Sequence, residues 1–325
     1  MHSKLKWLIV WGSTFLLLSC GNSAGNEPPA EEGPHVSNQE TVLSGFIPVM
    51  RSLDHGLSWT PVGSFWPEGV QGSFLAEGSG HLLLATDNAG VFMAEGDYST
   101  WSQIGTKLPS QKVNALHSNS QGIYVGLYWG GVYFSPNQGA TWEPIAGVPD
   151  PRVHAILTTQ DYLWVGTDVG LHRQDQRTQQ WETLQSELQV TSLQHVGSTM
   201  IAGTHQGTLI SEDEGNTWQA TTVMEASHNS YLTLEGAYAM SINGEVHYNL
   251  FADSLPWQQA EYDPKDSSYV YEIVTTGPYL VMSNNHGLHR SVDLGKTWNR
   301  VYQPYKGVFF DLLDTPSGLY ATLRR

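Results

Sequence analysis

Aromatic, carboxylate and amide side chains recur in short segments between the apolar runs of this sequence, where they could recognise a ligand. Aromatic rings stack on the apolar faces of sugars and peptides, while carboxylates and amides bind hydroxyl or main-chain groups. We therefore predict ligand-binding roles for nine residues: Trp66, Tyr128, Trp129, Arg152, Asp168, His205, Glu225, Tyr262 and His286. The alternative is that these segments are solvated loops whose aromatic rings brace the rim of the fold.

Three carboxylates in these segments have the residue type that glycoside hydrolysis requires. Asp168, Glu225 and Asp263 could face one another at the ~5–10 Å separation that a catalytic carboxylate pair needs. The sequence does not establish that separation, so no catalytic residue is assigned. A glycoside hydrolase is the enzyme that we keep as an alternative to a binding protein.

The histidines and the single cysteine do not form a recognisable metal site. None of the 13 histidines belongs to an H-x-x-x-H pattern, and His205 and His286 could meet only through the fold. One cysteine, Cys20, can form neither a thiolate cluster nor a disulfide within the chain. We predict no metal and no cofactor.

The elements that carry these residues form a repeat. Seven tryptophans recur at intervals of 37 to 42 residues: Trp59, Trp101, Trp142, Trp181, Trp218, Trp257 and Trp298. A short apolar strand and a glycine precede each tryptophan from Trp101 onward. In the third unit, four strands are predicted at 113–118, 123–128, 131–135 and 140–145 from their alternation and turn residues. A unit of about 40 residues with four strands is typical of a β-propeller blade.

The two ends of the chain complete one blade. VFFDLL (308–313) and GLYATLRR (318–325) match the first two strands of a unit, and the segment 45–59 supplies the last two. Pairing them would close the ring without open sheet edges. We therefore predict an all-β, seven-bladed β-propeller of four-stranded blades, closed by pairing N- and C-terminal strands in one blade.

A turn of the form S-x-D-x-G-x-T-W ends the third strand in four units. Its third residue can accept hydrogen bonds from the following amides, its glycine can adopt a positive φ, and its tryptophan can pack between sheets. The residues concerned are Asp54, Asn137, Asp213 and Asp293, with Trp59, Trp142, Trp218 and Trp298. The turn resembles the Asp-box, or BNR repeat, of sialidases. That resemblance implies a structural turn between the third and fourth strands, opposite the binding face.

Sialidase activity is not expected despite this resemblance. Sialidases bind the substrate carboxylate with three arginines, and their first unit begins with a Phe/Tyr-Arg-Ile-Pro stretch. Here the corresponding stretch, Phe46-Ile47-Pro48, lacks the arginine. Of the eight arginines, Arg152 alone is well placed for the mouth of the propeller.

The N-terminus has the order of a secretory signal. Lys4 and Lys6 precede an apolar run from 7 to 18, and Leu17-Leu18-Ser19-Cys20-Gly21 resembles the lipobox of bacterial lipoproteins. We predict a signal peptide over 1–19, a lipidated Cys20 and flexible tether over 20–43, and the propeller over 44–325. The alternative is a cleaved signal with a chance cysteine. Gly21 in place of aspartate favours the outer membrane of a bacterial envelope, on its periplasmic or surface face.

The charge and the resemblances together favour a binding scaffold. Beyond the signal peptide the chain has 13 basic and 31 acidic residues, so nucleic acid is not an expected partner. A lipidated seven-bladed propeller is similar to the photosystem assembly factors of the Ycf48/Hcf136 kind, and the stretch 163–181 resembles the propeller repeats of sensor ectodomains. We predict a monomeric, membrane-tethered, non-catalytic propeller that binds a protein partner on its top face. A glycan-binding surface lipoprotein is the further alternative.

Overall fold

The computed structural model describes residues 46–63, 66–78, 80–221, 227–241, 243–253, 256–262, 269–304 and 307–325, with only the backbone of residues 227 and 228. Twenty-eight strands lie in these residues. No helix within the described ranges has the length and apolar character needed to cross a lipid bilayer.

Seven blades of four antiparallel strands make up the fold, and each is numbered by its place in the chain. Blade 1 contains β3 (Gly72–Gly78), β4 (His81–Thr86), β5 (Val91–Glu95) and β6 (Trp101–Gln103), and blade 2 contains β7 (Val113–Asn119), β8 (Gly122–Leu127), β9 (Gly131–Ser135) and β10 (Glu143–Pro144). Blade 3 contains β11 (Val153–Thr158), β12 (Tyr162–Thr167), β13 (Gly170–Asp175) and β14 (Trp181–Ser186), and blade 4 contains β15 (Val190–Val196), β16 (Thr199–Thr204), β17 (Gly207–Ser211) and β18 (Gln219–Ala220). Blade 5 contains β19 (Ser227–Leu232), β20 (Gly236–Ser241), β21 (Val246–Leu250) and β22 (Gln258–Gln259), and blade 6 contains β23 (Val270–Thr276), β24 (Tyr279–Asn284), β25 (Gly287–Ser291) and β26 (Asn299–Tyr302). Blade 7 contains β27 (Val308–Thr315), β28 (Gly318–Arg324), β1 (Val49–Ser52) and β2 (Thr60–Pro61).

The seventh blade joins the two ends of the described chain. Its strand order is β2-β1-β28-β27, and Val49 to Ser52 pair with Thr322 to Leu319. The all-β, seven-bladed prediction and the mode of ring closure are therefore confirmed. The fourth strand of this blade, Thr60–Pro61, begins after the segment 45–59 that was expected to contain it.

The hydrophobic core is divided among the seven interfaces between neighbouring blades. Each interface has its own cluster of buried apolar side chains; for example, Tyr238 of blade 5 and Trp298 of blade 6 share one. The second strand of a blade is packed on both faces, so strands such as β4 and β12 are apolar almost throughout. Burial on both faces explains the uninterrupted apolar runs that precede the glycines.

The four complete turns share the hydrogen bonds that their serine and their aspartate or asparagine accept from main-chain amides, and the tryptophan donates to the turn glycine in all of them except that of blade 2, where Trp142 donates to the Ile104 carbonyl. In the turn of blade 4, the amide of Thr217 donates to Asp213 Oδ1 at 2.8 Å, and the amide of Gly215 donates to Ser211 Oγ at 2.8 Å. The glycine has a φ of 79°, and the residue before it, Glu214, has a φ of 57°. Trp218 Nε1 donates to the carbonyl of Gly215 at 3.0 Å. The turn is thus built from its own side chains.

The same arrangement shortens the fourth strand. We predicted that strand over 140–145 in blade 2, but the observed strand is Glu143–Pro144. The amide of Thr141 donates to Asn137 Oδ1 at 2.9 Å, so residues 140–141 belong to the turn. That prediction was too long because the side chain of the turn competes with strand pairing for this amide.

A β-bulge interrupts the innermost strand of every blade near its start. The residues at the bulges are Ser73 and Phe74, Asn114, His154, Thr191, His228, Tyr271 and Phe310. Bulges re-aim side chains where strands end at functional surfaces. They lie at the end of the strand where the connections between blades arrive, which we call the upper face.

Candidate functional site

The upper face comprises the loops between second and third strands and the connections between blades. The turns between third and fourth strands lie on the opposite, lower face with the loops between first and second strands. Main-chain hydrogen bonds join these two kinds of lower loop, as between the Glu214 amide and the Ser198 carbonyl. Of the ligand-binding residues predicted from the sequence, those that the structure describes belong to the upper loops.

Two exposed aromatic side chains lie on the upper face at blade 2. Tyr128 and Trp129 are 37 % and 62 % exposed and pack edge to face, with ring centroids 5.9 Å apart. The guanidinium carbon of Arg152 lies 5.2 Å from the centre of the Trp129 ring, and Lys112 Nζ lies 4.2 Å from that of Tyr128. These cation–π contacts hold the rings in place while leaving much of their surface open to solvent.

Arg152 is held between two carboxylates. Its Nη2 contacts Asp150 Oδ2 at 3.0 Å, and its Nη1 contacts Asp168 Oδ2 at 2.6 Å. Burial favours a raised pKa for Asp150, but the hydrogen bonds and charge of Arg152 outweigh it, so the pKa of Asp150 lies below its ordinary value. Asp150 is therefore ionised at neutral pH. We call Tyr128, Trp129, Asp150, Arg152 and Asp168 the Trp129 cluster.

A bulge residue supports this cluster from the innermost strand of blade 3. His154 Nε2 lies 2.5 Å from Asp168 Oδ1, and the side-chain Nδ2 of Asn114 donates to His154 Nδ1 at 2.9 Å. Nδ1 is thus an acceptor, and Nε2 carries the proton that is donated to Asp168. Gln189 Nε2 donates to the same Asp168 oxygen at 2.7 Å. The carboxylate is consequently fixed by three side chains from different elements.

The loops that carry the cluster are anchored to each other through the main chain. The amides of Gly130 and Gly131 donate to the Pro151 carbonyl at 3.1 and 3.0 Å. The amide of Asp168 donates to the Arg152 carbonyl at 3.3 Å. The exposed aromatic rings therefore stand on a preorganised base.

The other predicted residues lie apart from this cluster. The exposed His205 donates its main-chain amide to the Gln189 carbonyl at 3.1 Å. Trp66 packs against Phe92 and Trp101, with ring centroids 5.4 and 5.0 Å away. Tyr262 packs against blade 6, where burial raises its pKa to about 12. His286 is half-buried on the upper face of blade 6. Cys20, Glu225 and Asp263, together with the signal and tether segments, lie outside the described residues.

A second polar cluster lies on the upper face where blade 7 meets blade 1. Arg324 Nη2 contacts Asp87 Oδ1 at 2.7 Å, and Arg324 Nε donates to the Gly72 carbonyl at 2.8 Å. Its guanidinium carbon lies 3.7 Å from the centre of the Phe310 ring, which packs against Tyr271. This cluster joins the seventh blade to the first and leaves little of the arginine exposed.

Two carboxyl groups line the central channel below the bulges. Glu272 and Asp311 lie at equivalent positions of neighbouring innermost strands and face a cavity of about 430 Å³. Asn229 Nδ2 donates to Glu272 Oε2 at 2.9 Å, and the Leu75 amide donates to Asp311 Oδ2 at 2.7 Å. Burial raises the pKa of both carboxyl groups, and the charge of Asp311 raises that of Glu272 further.

Several of these residues were not predicted from the sequence. His154, Gln189, Arg324, Glu272 and Asp311 lie in or beside strands, where sequence patterns indicate only packing. Of these residues only His154 lies at a bulge, which turns its side chain toward the upper face. In the described residues, no group of three or more His, Cys, Asp or Glu side chains is arranged to hold a metal ion.

Comparison with known proteins relates the chain to other propellers by fold. No family model and no curated protein sequence matches it. A solved structure of Ycf48 bound to D1 peptide has a TM-score of 0.60 at 15 % identity, covering 82 % of this chain and 99 % of that one. Ycf48 from Cyanidioschyzon merolae has a TM-score of 0.62 at 12 % identity, covering 80 % and 97 %. An ancestral GH74 enzyme has a TM-score of 0.58 at 18 % identity; the match covers 80 % of this chain but 40 % of the enzyme. The chain therefore has the seven-bladed propeller fold that Ycf48 and a GH74 glycoside hydrolase also have.

Proposed function

We propose that this protein is a lipid-anchored, non-catalytic propeller of the bacterial envelope that binds a protein partner across the Trp129 cluster. The observation that supports the proposal is the exposure of the Trp129 side chain. Its side chain is 62 % exposed although its loop is anchored and Arg152 lies beside its ring. A rigid, exposed aromatic ring loses little conformational entropy when a partner covers it.

The composition of the cluster suits a protein partner. Tryptophan, tyrosine and arginine are the residue types that contribute most binding free energy in protein interfaces. Asp150 and Asp168 hold the guanidinium of Arg152 in one orientation, and the carboxylate oxygens remain partly exposed at Asp168. An extended segment could stack on Trp129 and hydrogen-bond to these polar groups. A propeller of the same fold, Ycf48, has been solved with a peptide bound.

The cluster is poorly suited to hydrolysis. A glycosidase needs a carboxylic acid whose pKa is raised so that it can donate a proton. The pKa of Asp150 is instead lowered. The carboxylate of Asp168 is engaged in contacts with Arg152, His154 and Gln189. Both carboxylates thus serve to orient a cation.

The anchor in this proposal rests on sequence features beyond the described residues. The lipobox-like stretch ends at Cys20, and residues 22–43 are rich in Pro, Glu, Ser, Asn and Gly. This composition offers too little apolar surface for a folded core, which supports the proposal that the segment is a tether. Several acyl chains on Cys20 would hold the protein on the membrane.

Capture of the partner tests this function. The acylated protein would be crosslinked in its native envelope and isolated with its partner, and the affinity of that partner would then be measured for variants. Trp129→Ala should weaken binding by about 2 kcal/mol, roughly thirtyfold, because the central aromatic anchor is lost.

Tyr269→Ala is the matched control for this experiment. Tyr269 is an upper-face aromatic that is 37 % exposed and packs against Tyr271, away from the Trp129 cluster. Its loss should leave the affinity unchanged. Equal binding by wild type and Trp129→Ala would rule out the cluster as the binding surface.

The channel carboxyl groups favour a glycoside hydrolase as a second candidate. Glu272 and Asp311 have raised pKa values and line a cavity, as a proton donor for a glycoside would. Turnover of aryl glycosides or polysaccharides that disappears in Glu272→Gln would support this candidate. Binding of oligosaccharides without turnover, seen as a change in tryptophan emission, would instead favour a glycan-binding protein.

A further inference from the structure

We infer that the segment bound by the Trp129 cluster is proline-rich and adopts a polyproline II helix, with its carbonyl groups toward Tyr128, Trp129 and Lys112. This inference rests on the proposed function, because it names the chemistry of the partner at that same surface. Three features of the cluster point to such a segment: the hydrogen-bonding groups that it leaves free, its exposed aromatic rings and the main chain beneath them.

The carboxylate oxygens of the cluster already accept hydrogen bonds. Asp150 accepts from the amide, Nε and Nη2 of Arg152 at 2.7, 3.2 and 3.0 Å. Asp168 Oδ1 accepts from His154 Nε2 and Gln189 Nε2. Its other oxygen, Oδ2, contacts Arg152 Nη1 at 2.6 Å. The cluster therefore has few acceptors left for a ligand.

Donors, in contrast, are in excess. Within the described part of the chain, Trp129 Nε1 and the Tyr128 hydroxyl donate no hydrogen bond, whereas the tryptophans of the four complete turns all donate to carbonyls. Lys112, over the Tyr128 ring, forms no ion pair with a described residue. Arg152 uses three of its five N–H groups on the two aspartates, which leaves two.

A polyproline II segment has the groups that complement this surface. Its backbone carbonyls are all unpaired, because this helix has no internal hydrogen bonds, and proline has no N–H that needs an acceptor. An α-helix pairs its carbonyls internally, so it would leave the donors of the cluster without partners. The hydroxyl groups of a glycan donate as well as accept, so they would lack acceptors on this surface.

The exposed aromatic rings suit the side of a proline-rich segment. Tyr128 and Trp129 pack at an interplanar angle of 84°, so they form a corner rather than a flat surface. Proline-rich segments bind in grooves lined by aromatic side chains. Val169 follows Asp168 in the corresponding loop of blade 3 and is 39 % exposed. The apolar surface thus continues from blade 2 onto blade 3.

The main chain of the cluster does not offer an edge for a β-strand. Strand addition requires a row of free amides and carbonyls. The amides of Gly130 and Gly131 already donate to the Pro151 carbonyl. The Asp168 amide donates to the Arg152 carbonyl. A partner segment therefore binds to side-chain donors and rings, as a polyproline II helix can.

The charge of this surface favours a neutral segment. Lys112 and Arg152 are balanced by Asp150 and Asp168, so no net charge attracts an acidic or a basic peptide. The free donors consequently serve uncharged carbonyl groups. Since screening by salt weakens interactions between charges, binding of such a segment should depend little on ionic strength.

Titration with a peptide of defined sequence tests the inference. The full-length protein, solubilised in a mild detergent, would be added to fluorescein-labelled decaproline, and the fluorescence anisotropy would be followed. A labelled Gly-Ser peptide of the same length is the control. Decaproline should bind at least about tenfold more tightly, because its helix is preformed and loses less conformational entropy. Raising the salt from about 50 mM to about 500 mM should change its affinity less than about twofold.

Two substitutions of Trp129 separate the aromatic ring from its N–H group. Trp129→Ala should weaken the binding of decaproline about tenfold or more, because the aromatic anchor is lost. Trp129→Phe keeps a ring but cannot donate a hydrogen bond, so it should weaken binding about threefold to tenfold. Tyr269→Ala, on the same face but away from the cluster, should bind decaproline as the wild type does. Thermal unfolding of each variant checks that the fold is retained.

Decaproline that does not bind at millimolar concentration would overturn the inference. Equal binding of the Gly-Ser peptide would do the same, as would an equal loss in Tyr269→Ala and Trp129→Ala. If the partner captured by crosslinking still requires Trp129 in such a case, the proposed function stands and only the proline-rich segment is excluded. Conversely, decaproline binding that requires Trp129 supports the inference, even where the captured partner ignores Trp129→Ala and the proposed function fails.

Discussion

Three tryptophans outside the repeat show how position decides the role of a residue. Trp66 lies between Phe92 and Trp101 and is partly buried at the contact of blades 7 and 1. Trp129 lies on an anchored loop of the upper face and is 62 % exposed. A third, Trp164, is fully buried and packs edge to face on Trp218. Of these three, Trp129 is the one with a side chain open to a partner.

Asp150 tests how much the ionised carboxylate that holds Arg152 contributes to stability. It is nearly buried and accepts three hydrogen bonds from Arg152, so Asp150→Asn should lower the free energy of unfolding by about 1–3 kcal/mol. Because the pKa of Asp150 is lowered, this contribution is present above the ordinary pKa of aspartate and is lost as the pH falls through the folded-state value. Urea unfolding at neutral and at acidic pH measures both effects.

Asp253→Asn is the matched control for that substitution. Asp253 and Lys296 form a surface ion pair at 3.7 Å, with side chains 41 % and 45 % exposed. Exposed pairs contribute less than about 1 kcal/mol, so this variant should be nearly as stable as wild type. Equal losses in the two variants would mean that Asp150 is not held as the structure indicates.

At the scale of the element, the repeated turn depends on local hydrogen bonds and on one close packing contact. The turns of blades 4 and 7 share the side-chain hydrogen bonds, with Gly215 and Gly56 at φ values of 79° and 90°. Their surroundings differ. A Cβ atom on Gly215 would overlap the Trp164 ring and lie 2.9 Å from Met200 Sδ, whereas a Cβ on Gly56 would be 3.6 Å from its nearest neighbour.

This difference predicts unequal effects of alanine at the two glycines. Gly56→Ala should cost about 1–2 kcal/mol, since only the left-handed backbone opposes the substitution. Gly215→Ala should cost a further ~1–3 kcal/mol because the methyl group overpacks the interface between blades 3 and 4. Urea unfolding of the two variants measures the difference. If both lost the same amount, the contact with Trp164 would have no energetic role.

At the scale of the whole molecule, the ring is held closed by side chains that pass from one innermost strand to the next. The Leu75 amide donates to Asp311, and Asn114 Nδ2 donates to the Val153 carbonyl at 2.8 Å. Glu272 and Asp311 belong to this belt, at the contact between blades 6 and 7. Because burial raises the pKa of both carboxyl groups at this contact, the stability of the closed ring depends on pH.

The channel pair predicts that stability falls as pH rises through neutrality. Burial raises the pKa of Glu272 to about 8 and that of Asp311 to about 7. The folded state therefore binds more protons than the unfolded state above the ordinary pKa of these acids, so stability is lost as pH approaches the folded values. From about pH 6.5 to about pH 8.5, the free energy of unfolding should decrease by about 1–2 kcal/mol.

Glu272→Gln is the variant that isolates this effect. It keeps the shape and removes the titration, so the slope above about pH 6.5 should flatten. Buried histidines such as His117, whose pKa is lowered to about 4 by burial, act in the opposite direction but only below their ordinary value. Parallel pH profiles for wild type and Glu272→Gln would show that the pair does not titrate in this range.

The sequence by itself determined the propeller fold, because the signals of the repeat arise from interactions between residues that are close together in the chain. Tryptophan spacing, apolar second strands and the glycine-containing turn all arise within one 40-residue unit, and the end segments complete the seventh blade. The bounds of the fourth strands were harder to predict, since the side chain of Asn137 competes for the amide of Thr141.

Only the tertiary structure decided which loop residues meet. Tyr128 and Asp168 come from loops of two different blades and Arg152 from the connection between those blades, and they lie together because the innermost strands place them on one rim. His154 joins them through a bulge, and Tyr262 is drawn away into the contact with blade 6. Sequence periodicity distinguishes buried from exposed faces, but it contains no information on contacts between repeats. The Trp129 cluster depends on those contacts.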